Sequence, residues 1–440
     1  MLDSPSAFSA LDDGPDAPLD ELRRREDAWH STHRAEALWP GLDAAAIQSA
    51  ADVIGGVVAR ALRGERARLG FPGADADAER RARAVGVAGL LTGVGALLGT
   101  WIERGELDAD PPVARVLARH LAHGRARDAR IRAAVMPILG QMERAGLAPG
   151  VIKGFHSANV FFPEPGARPF HDVDVVVSPE AIPATERILR DAGFLADVRV
   201  GSTTYKREWF PPDGRGDVWS HELWHARSRW KLDLHDGLNF AAVLQNVRAT
   251  QTPRFADSLH IDGVTLRVAD PNEMIAMHAA HASTELYSHR LLRLVELVLV
   301  ARRAASLGTL DWSAVESSLA ERESSRFAYP MLALAERLAP GTVDAGVLAR
   351  LERGSTARAR AVTGALTPTA PILDTRFSVR DRLMWASGAL ATARRLWRMV
   401  APVEGAAPAQ RLRNYRHRAI RLLSMALPSR SRHSDRDGER

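Results

Sequence analysis

The sequence contains no cysteine, and this absence removes several kinds of chemistry at once. Disulfides, thiolate nucleophiles and cysteine-ligated zinc or iron–sulfur sites are all excluded. Any metal ion must therefore be held by oxygen or by imidazole nitrogen. A chain without cysteine also suits a reducing compartment, so we expect a cytoplasmic protein.

Lysine is almost as scarce. Lys153, Lys206 and Lys231 are the only lysines among 59 basic residues, and all three fall in the part of the chain that holds the acidic residues described below. The net charge of +6 is concentrated toward the arginine-rich C-terminus. Because arginine and alanine are abundant throughout, the high pI is weak evidence for a nucleic-acid partner.

Two further absences concern membranes. The start, Met-Leu-Asp-Ser-Pro-Ser-Ala-Phe, lacks a basic region followed by an apolar one, so no signal peptide is expected. Residues 84–102 are uncharged and about long enough to span a bilayer if helical. Their five glycines and two threonines dilute the hydrophobicity, which favours a buried core helix over a membrane-associated segment. No transmembrane span is therefore expected.

The pattern along the chain predicts an α+β protein with a small mixed sheet between two helical regions. Its five predicted parts are a flexible N-terminal arm at 1–38, an N-terminal helical region at 39–146, an α/β core at 147–270, a C-terminal helical region at 271–428 and a disordered basic tail at 429–440. Within the first helical region we predict a helix capped by Asp43, one core helix at 84–102 and two helices at 113–123 and 129–145.

A charged stretch stands at the edge of a valine run in the α/β core. Residues 168–177 read Arg-Pro-Phe-His-Asp-Val-Asp-Val-Val-Val. A strand has a side-chain period of two, so Asp172 and Asp174 project from one face and Val173, Val175 and Val177 from the other. Two carboxylates at this spacing repel each other unless a cation lies between them, which indicates a divalent metal site. The alternative is a surface strand whose acids face water.

Two flanking segments add to this pattern. Upstream, an apolar strand at Val151 and Ile152 leads into Lys153 and Gly154, and then into a helix start that carries Ser157. Glycine permits close backbone approach, and the free amides of a helix start attract phosphate. Downstream, residues 230–235 alternate as a strand and supply a third carboxylate, Asp233.

The ordered motifs resemble those of a known family. They are Ile152-Lys153-Gly154, then Arg168 ahead of Asp172-Val173-Asp174, then Leu232-Asp233-Leu234-His235. Over roughly residues 130–300 the chain is similar to a family of uncharacterised bacterial nucleotidyltransferases, a branch of the polymerase-β-like nucleotidyltransferase superfamily. Members often occur near genes for peptide natural products. The resemblance implies a polymerase-β-like core.

The resemblance also implies an activity and a site. Asp172, Asp174 and Asp233 would be catalytic and hold two Mg²⁺ or Mn²⁺ ions, and the nucleotide-binding residues would be Lys153, Gly154, Ser157 and Arg168. The expected reaction is transfer of a nucleoside monophosphate from an NTP to an unknown small molecule, peptide or protein, with release of pyrophosphate. The chain departs from the family at Asp236, where an aromatic residue is common, while Glu296 stands in for an acid of the trailing helix.

Other interpretations stay open. In the first interpretation the acceptor is an RNA end, which the basic C-terminal tail and the predicted helix at 410–427 would bind. The second is an Asp-x-Asp glycosyltransferase, and the third is an inactive binding protein. His278, His281 and Glu285 have the spacing of metal ligands, but we favour an interface or structural role for them. For Trp219, Trp224 and Trp230 we favour packing over base stacking.

Overall fold

The computed structural model describes most of the chain between residues 41 and 372. The described ranges are 35–39, 41–70, 78–196, 206–214, 225–238, 252–284 and 290–372, with single residues at 24, 25, 28, 240 and 286 and short pieces between 383 and 396. The predicted tail at 429–440, the predicted helix at 410–427, nearly all of the predicted arm at 1–38, and Trp219, Trp224 and Glu285 lie outside these residues.

The N-terminal part is helical, as its apolar spacing predicts. Its elements are α1 (Ala35–Leu38), α2 (Ala44–Leu62), β1 (Ala67–Leu69), α3 (Ala78–Thr92), α4 (Gly95–Glu103), β2 (Leu107–Ala109) and α5 (Pro111–Arg144). Asp43 caps α2 as predicted, because its carboxylate accepts a hydrogen bond from the Ala46 amide at 2.7 Å. Strands β1 and β2 pair in parallel as a separate two-stranded sheet.

Two predictions in this region are wrong. Residues 84–102 do not form one helix, because α3 and α4 meet at a bend of 117° around Gly93, whose φ of +77° suits glycine. Residues 124–128 do not separate two helices but continue α5. Gly124 has a packing reason: a Cβ atom there would lie 2.2 Å from the Gly166 carbonyl oxygen. Helix α5 therefore crosses the loop at Gly166 so closely that only glycine fits at position 124 of the helix.

One described helix, α2, is long and apolar enough to cross a membrane, with a mean hydropathy of 1.3. The bent pair α3 and α4 passes the same test only if it is counted as one span. This evidence is weak, since the core helices of globular proteins pass the test too, and Ile47, Ile54 and Val58 of α2 are buried.

The middle of the chain forms a seven-stranded sheet in the order β5–β6–β7–β4–β3–β9–β8. Its strands are β3 (Gly150–Ile152), β4 (Asp172–Val176), β5 (Leu195–Ala196), β6 (Lys206–Phe210), β7 (Lys231–His235), β8 (Phe255–Ile261) and β9 (Val264–Ala269). Helices α6 (Lys153–Val160) and α7 (Ile182–Asp191) lie between strands along the chain. The sheet is mixed, since β4 runs parallel to β7 and antiparallel to β3.

One face of this sheet packs on α5. The cluster that the two elements share includes Val173, Val175, Leu232 and Leu234 from the strands and Ile131, Val135, Leu139 and Met142 from the helix. Burying this face fixes the register of β4 and β7, because a slip of one residue would turn the valines and leucines away from α5. The alternate residues of the same strands are thereby directed to the opposite face.

Helices return after the sheet. They are α8 (Pro271–Ser283), α9 (Arg290–Ser306), α10 (Trp312–Glu321), α11 (Ser325–Leu338), α12 (Ala345–Gly354) and α13 (Ala357–Ala365). Asp270 caps α8 as predicted, accepting from the Asn272 amide at 2.8 Å. Buried side chains of the N-terminal and C-terminal helices, among them Leu97 and Leu294, belong to one apolar cluster. The sheet module therefore lies between α5 on one side and a helical body on the other.

Candidate active site

The register of the central strands gathers the acidic residues on one face. Strand β4 pairs with β7 so that Asp174 lies opposite Asp233, and β6 pairs with β7 so that Glu208 lies opposite Asp233 from the other side. Directly opposed residues project from the same face of a sheet. Asp172, two residues before Asp174, shares that face. The convergence expected from the alternating sequence pattern is thus present in the fold.

Asp174 is the centre of this group. Its side chain is fully buried, and its Oδ1 atom accepts from Lys153 Nζ at 2.8 Å and lies 2.9 Å from His235 Nε2. Its other oxygen, Oδ2, is buried without a hydrogen-bond partner. Burial raises the pKa of Asp174, but the charge of Lys153 and the contact with His235 outweigh it and hold this pKa well below its ordinary value.

The other two carboxylates differ in their surroundings. Burial raises the pKa of Asp233, and the nearby Lys206 ammonium only partly offsets the increase. For Asp172, burial also acts upward, but His171 and Lys153 bring its pKa below the ordinary value. The three acids therefore differ in their proton affinity although they share one face.

All three lysines of the sequence line this face. Lys153 pairs with Asp174, and Lys206 pairs with Asp233 and with Glu208 at 3.2 Å. Lys231 lies 2.6 Å from Glu208 and 3.5 Å from Asp233 Oδ1. A group of opposite charges at these distances forms a connected ionic network rather than isolated pairs.

Lys153 has an unusual backbone. Its φ is +48°, in the left-handed region that a residue with a side chain seldom adopts, at the point where β3 ends and α6 begins. Backbone strain of this kind costs about 1–3 kcal/mol and is found most often at functional sites. The strained turn brings the ammonium group back over β4 to Asp174.

Gly154 and Arg168 contact each other. A Cβ atom at Gly154 would lie 2.8 Å from Phe170 Cβ and 2.9 Å from an Arg168 guanidinium nitrogen, so glycine is needed here for packing within the protein. The Arg168 guanidinium binds Glu296 of α9 through two hydrogen bonds of 2.9 and 2.8 Å. The guanidinium of Arg168 thus donates hydrogen bonds to Glu296 and to the Pro169 carbonyl, not to the carboxylates of the sheet.

Ser157 and His278 belong to the surroundings of Glu296. Ser157 is fully buried in α6, and His278 Nε2 lies 3.5 Å from Glu296 Oε1. Burial acts to raise the pKa of Glu296, but Arg168, His278 and Ser157 lower it to about 2. His278 contacts this buried acid, and the interface or structural role that we favoured for it stays a prediction. The predicted contacts of Ser157 and Arg168 with a nucleotide stay predictions.

The residues of the central face fit a divalent cation. Asp174, Asp233 and His235 each offer a ligand atom, and these atoms lie within 4.8 Å of one another. Carboxylate oxygens are the ligands that hard cations prefer, and a buried oxygen without a partner, such as Asp174 Oδ2, calls for one. His235 was missing from the predicted site residues, although the alternation of Asp233 and His235 along β7 places both on this face.

Lys206 and Glu208 were also missing from the predicted site. Their strand reads Lys-Arg-Glu-Trp-Phe and carries no recognisable motif. The signal that pointed to Lys206 was the clustering of the three lysines in one part of the sequence. Glu208 gave no signal, because its place opposite Asp233 depends on strand pairing between distant segments.

Comparison with known proteins gives one family and one solved structure. A family described as "Uncharacterised nucleotidyltransferase" matches residues 91–340. The solution structure of the antibiotic-resistance factor ANT(2'')-Ia is 13% identical, over 45% of this chain and 93% of that one, with a TM-score of 0.29. A score of this size does not establish a shared fold. Among curated proteins there is no match.

Proposed function

Because the chain belongs to the uncharacterised nucleotidyltransferase family, we propose that it transfers a nucleoside monophosphate from an NTP to an acceptor and releases pyrophosphate. The observation that carries the proposal is the pairing of Asp174 with Asp233 across β4 and β7, with Asp172 on the same face. The family supports this reaction type over the glycosyltransferase alternative. We further infer that the sheet and its helices are a polymerase-β-like core.

The carboxylates would take two roles. Asp172 and Asp174 are the candidate ligands of Mg²⁺ or Mn²⁺, an ion that would offset the charge of the triphosphate during transfer. Asp233 is the candidate for activating the acceptor hydroxyl. The hydroxyl passes its proton to Asp233 as its oxygen attacks the α-phosphorus, the bond from the α-phosphorus to the bridging oxygen breaks, and pyrophosphate leaves.

Lys153 would change partners during nucleotide binding. In the structure its ammonium neutralises Asp174 at 2.8 Å. A cation at Asp174 would take over this neutralisation, and the ammonium would then be available to the phosphate oxygens of the nucleotide. Lysine suits such a movement, since its charge is compact and its stem is flexible.

Calorimetry tests the proposal. Each of ATP, GTP, CTP and UTP is titrated with Mg²⁺ into the wild-type chain and into Asp174→Asn. We expect metal-dependent binding of at least one triphosphate, weakened at least about 10-fold by the substitution, because perturbing the ligand shell of a metal has effects of this size or larger.

The matched control is Asp213→Asn, which makes the same chemical change at an exposed acid that pairs with Arg130 at 3.1 Å. It should leave triphosphate binding unchanged. If Asp174→Asn binds metal and triphosphate as tightly as wild type, the proposed metal role of Asp174 is wrong. Transfer of the radiolabelled α-phosphate to hydroxyl-bearing small molecules and peptides then identifies the acceptor class.

A further inference from the structure

Asp174 and Asp233 differ in the number of ammonium groups that they contact. Both oxygens of Asp233 already face an ammonium group, since Lys206 pairs with Oδ2 and Lys231 lies 3.5 Å from Oδ1. Asp174 contacts one ammonium group, that of Lys153, 2.8 Å from Oδ1, while its Oδ2, like both oxygens of Asp233, is buried without a hydrogen-bond partner. A cation would therefore meet less positive charge on the side of Asp174 and Asp172, where Lys153 is the ammonium group in contact, than at Asp233, which contacts two ammonium groups.

The two ammonium groups at Asp233 are held in place by more than that one acid. Glu208 lies 3.2 Å from Lys206 and 2.6 Å from Lys231, and so joins both lysines in one network. Strand pairing fixes all of these residues, because Glu208 lies directly opposite Asp233 and Lys206 opposite His235. A divalent ion at Asp233 would have to move the Lys206 ammonium away from the carboxylates of Asp233 and Glu208. If the ammonium stayed, the ion and the ammonium would repel each other at close range.

We propose that this site takes one divalent cation, between Asp172 and Asp174, and that the Lys206 ammonium supplies the positive charge at Asp233 where a second ion would otherwise bind. The inference rests on the proposed function and narrows the two ions implied by the family resemblance to one. Lys206 thereby becomes a positioning and charge-compensating residue for the acceptor side of the reaction.

A fixed ammonium suits this place for a physical reason. An acceptor hydroxyl near Asp233 develops negative charge as it attacks, and a positive group already in position stabilises that charge without reorganisation. Lys206 is provided by the fold itself, whereas a second ion must be recruited from solution for each turnover. Lys231, which is closest to Glu208, would mainly hold that carboxylate in position.

The test counts bound ions directly. Mn²⁺ is titrated into the full-length chain and followed by electron paramagnetic resonance, with and without an α,β-methylene analogue of the triphosphate that binds most tightly. We expect one tightly bound Mn²⁺ per wild-type chain under both conditions. For Lys206→Met, which keeps the length of the side chain and removes its charge, we expect two.

Lys231→Met is the matched control, because it removes the same charge from the same face. We expect it to keep one ion. If it admits a second ion as readily as Lys206→Met, net charge rather than the placement of Lys206 sets the number, and the inference is overturned. A single ion in Lys206→Met also overturns it.

The two proposals fail in different ways. Two tightly bound ions in the wild-type chain contradict the inference about Lys206 and leave the proposed nucleotidyl transfer intact. The absence of any bound Mn²⁺, with or without the triphosphate analogue, overturns both the inference and the metal site on which it rests.

Discussion

Asp174 is a buried charge whose ionised state depends on named neighbours. Lys153 and His235 both contact its Oδ1 atom, at 2.8 and 2.9 Å. Taking a carboxylate out of water is costly unless a counter-charge and hydrogen bonds replace the lost solvation. Removal of one partner therefore leaves the other buried without compensation, and the effect should appear in the stability of the whole protein.

We expect Lys153→Met to lower the free energy of unfolding by about 3 kcal/mol, the size typical of breaking one side of a buried ion pair. Urea unfolding at pH 7 measures it. The double variant Lys153→Met with Asp174→Asn should regain part of the loss, because neither charge is then left alone. A double variant no more stable than Lys153→Met contradicts this account.

Arg115→Met serves as the control for that measurement. Arg115 and Glu79 form an ion pair of 2.9 Å in which both side chains are largely exposed. Exposed pairs contribute at most about 1 kcal/mol, so the free energy of unfolding should change by less than that.

From the sequence, single residues of the candidate site could be predicted by residue type, but the residues that they contact could not. The alternation around Asp172 and Asp174 indicated that the two acids share a face, because strand periodicity is local. Arg168 shows the limit of such reasoning. Its charge and its position near the acids predicted a phosphate ligand, and that role stays a prediction. No local pattern indicated its partner in the structure, Glu296, which is 128 residues away along the chain.

Helix α5 holds the two strands of the site together. Arg127 is buried on this helix, and its guanidinium donates to the Phe170 carbonyl before β4 and to the Arg229 carbonyl before β7, the latter at 2.9 Å. The His171 carbonyl also accepts from the Lys231 amide at 3.1 Å. One side chain thus joins the starts of the strands that present Asp172 and Asp233.

We expect Arg127→Met to lower the free energy of unfolding by about 1–3 kcal/mol, because the two carbonyls lose a buried donor. Since the strand ends would lose their common donor, affinity for metal and triphosphate should fall as well. Urea unfolding and calorimetry measure the two effects.

The control for Arg127→Met is Arg125→Met on the same helix. The Arg125 guanidinium is about half exposed and pairs with Glu103 and Glu164. Because Glu164 is largely buried, stability should fall as well, but affinity for metal and triphosphate should stay unchanged, since the partners of Arg125 lie on α4 and in the loop before β4. Loss of stability in Arg127→Met with unchanged affinity would show that Arg127 supports the fold without positioning the carboxylates.

Elements were predictable where their signals are local. The caps at Asp43 and Asp270, the turns at Gly146 and Gly193 and the alternation of β4 and β7 all follow from neighbouring residues. The order of the seven strands does not, because each pairing joins distant segments. Strand β8 gave no signal, since most of its residues are exposed at the edge of the sheet and its alternating apolar residues, Leu259 and Ile261, are too few to make a periodic pattern.

At the scale of the whole molecule, the site lies between the seven-stranded sheet and the helical body, and the buried ion pair of Arg168 and Glu296 connects the two. Arg168 lies in the loop before β4 and binds Glu296 on α9, and both side chains are nearly inaccessible to solvent. Helices from both ends of the chain share one core around this junction. The predicted division into regions at 146 and 270 stays a prediction, whereas the contacts show that the sheet module packs on helices from both sides.

His120, His123 and His156 are buried, and they should make the stability of the whole molecule sensitive to mild acid. Burial lowers the pKa of His120 and His156 to about 3 and that of His123 to about 4. In the unfolded chain these groups titrate near pH 6.5. Between pH 6.5 and 4 the unfolded state therefore binds protons that the folded state does not, so stability falls as pH decreases through this window.

We expect the free energy of unfolding to decrease by about 4 kcal/mol between pH 7 and 5.5, with each of the three imidazoles contributing about 1.3 kcal/mol. Urea unfolding followed by tryptophan fluorescence across this range measures the slope. His156→Gln should reduce the slope by about one third, because one fewer group takes up a proton on unfolding. A free energy of unfolding that is constant from pH 7 to 5.5 would contradict the burial of neutral imidazoles. Since His156 lies in α6, the helix that begins with Lys153 and Gly154, it would also question how this helix packs beneath the site.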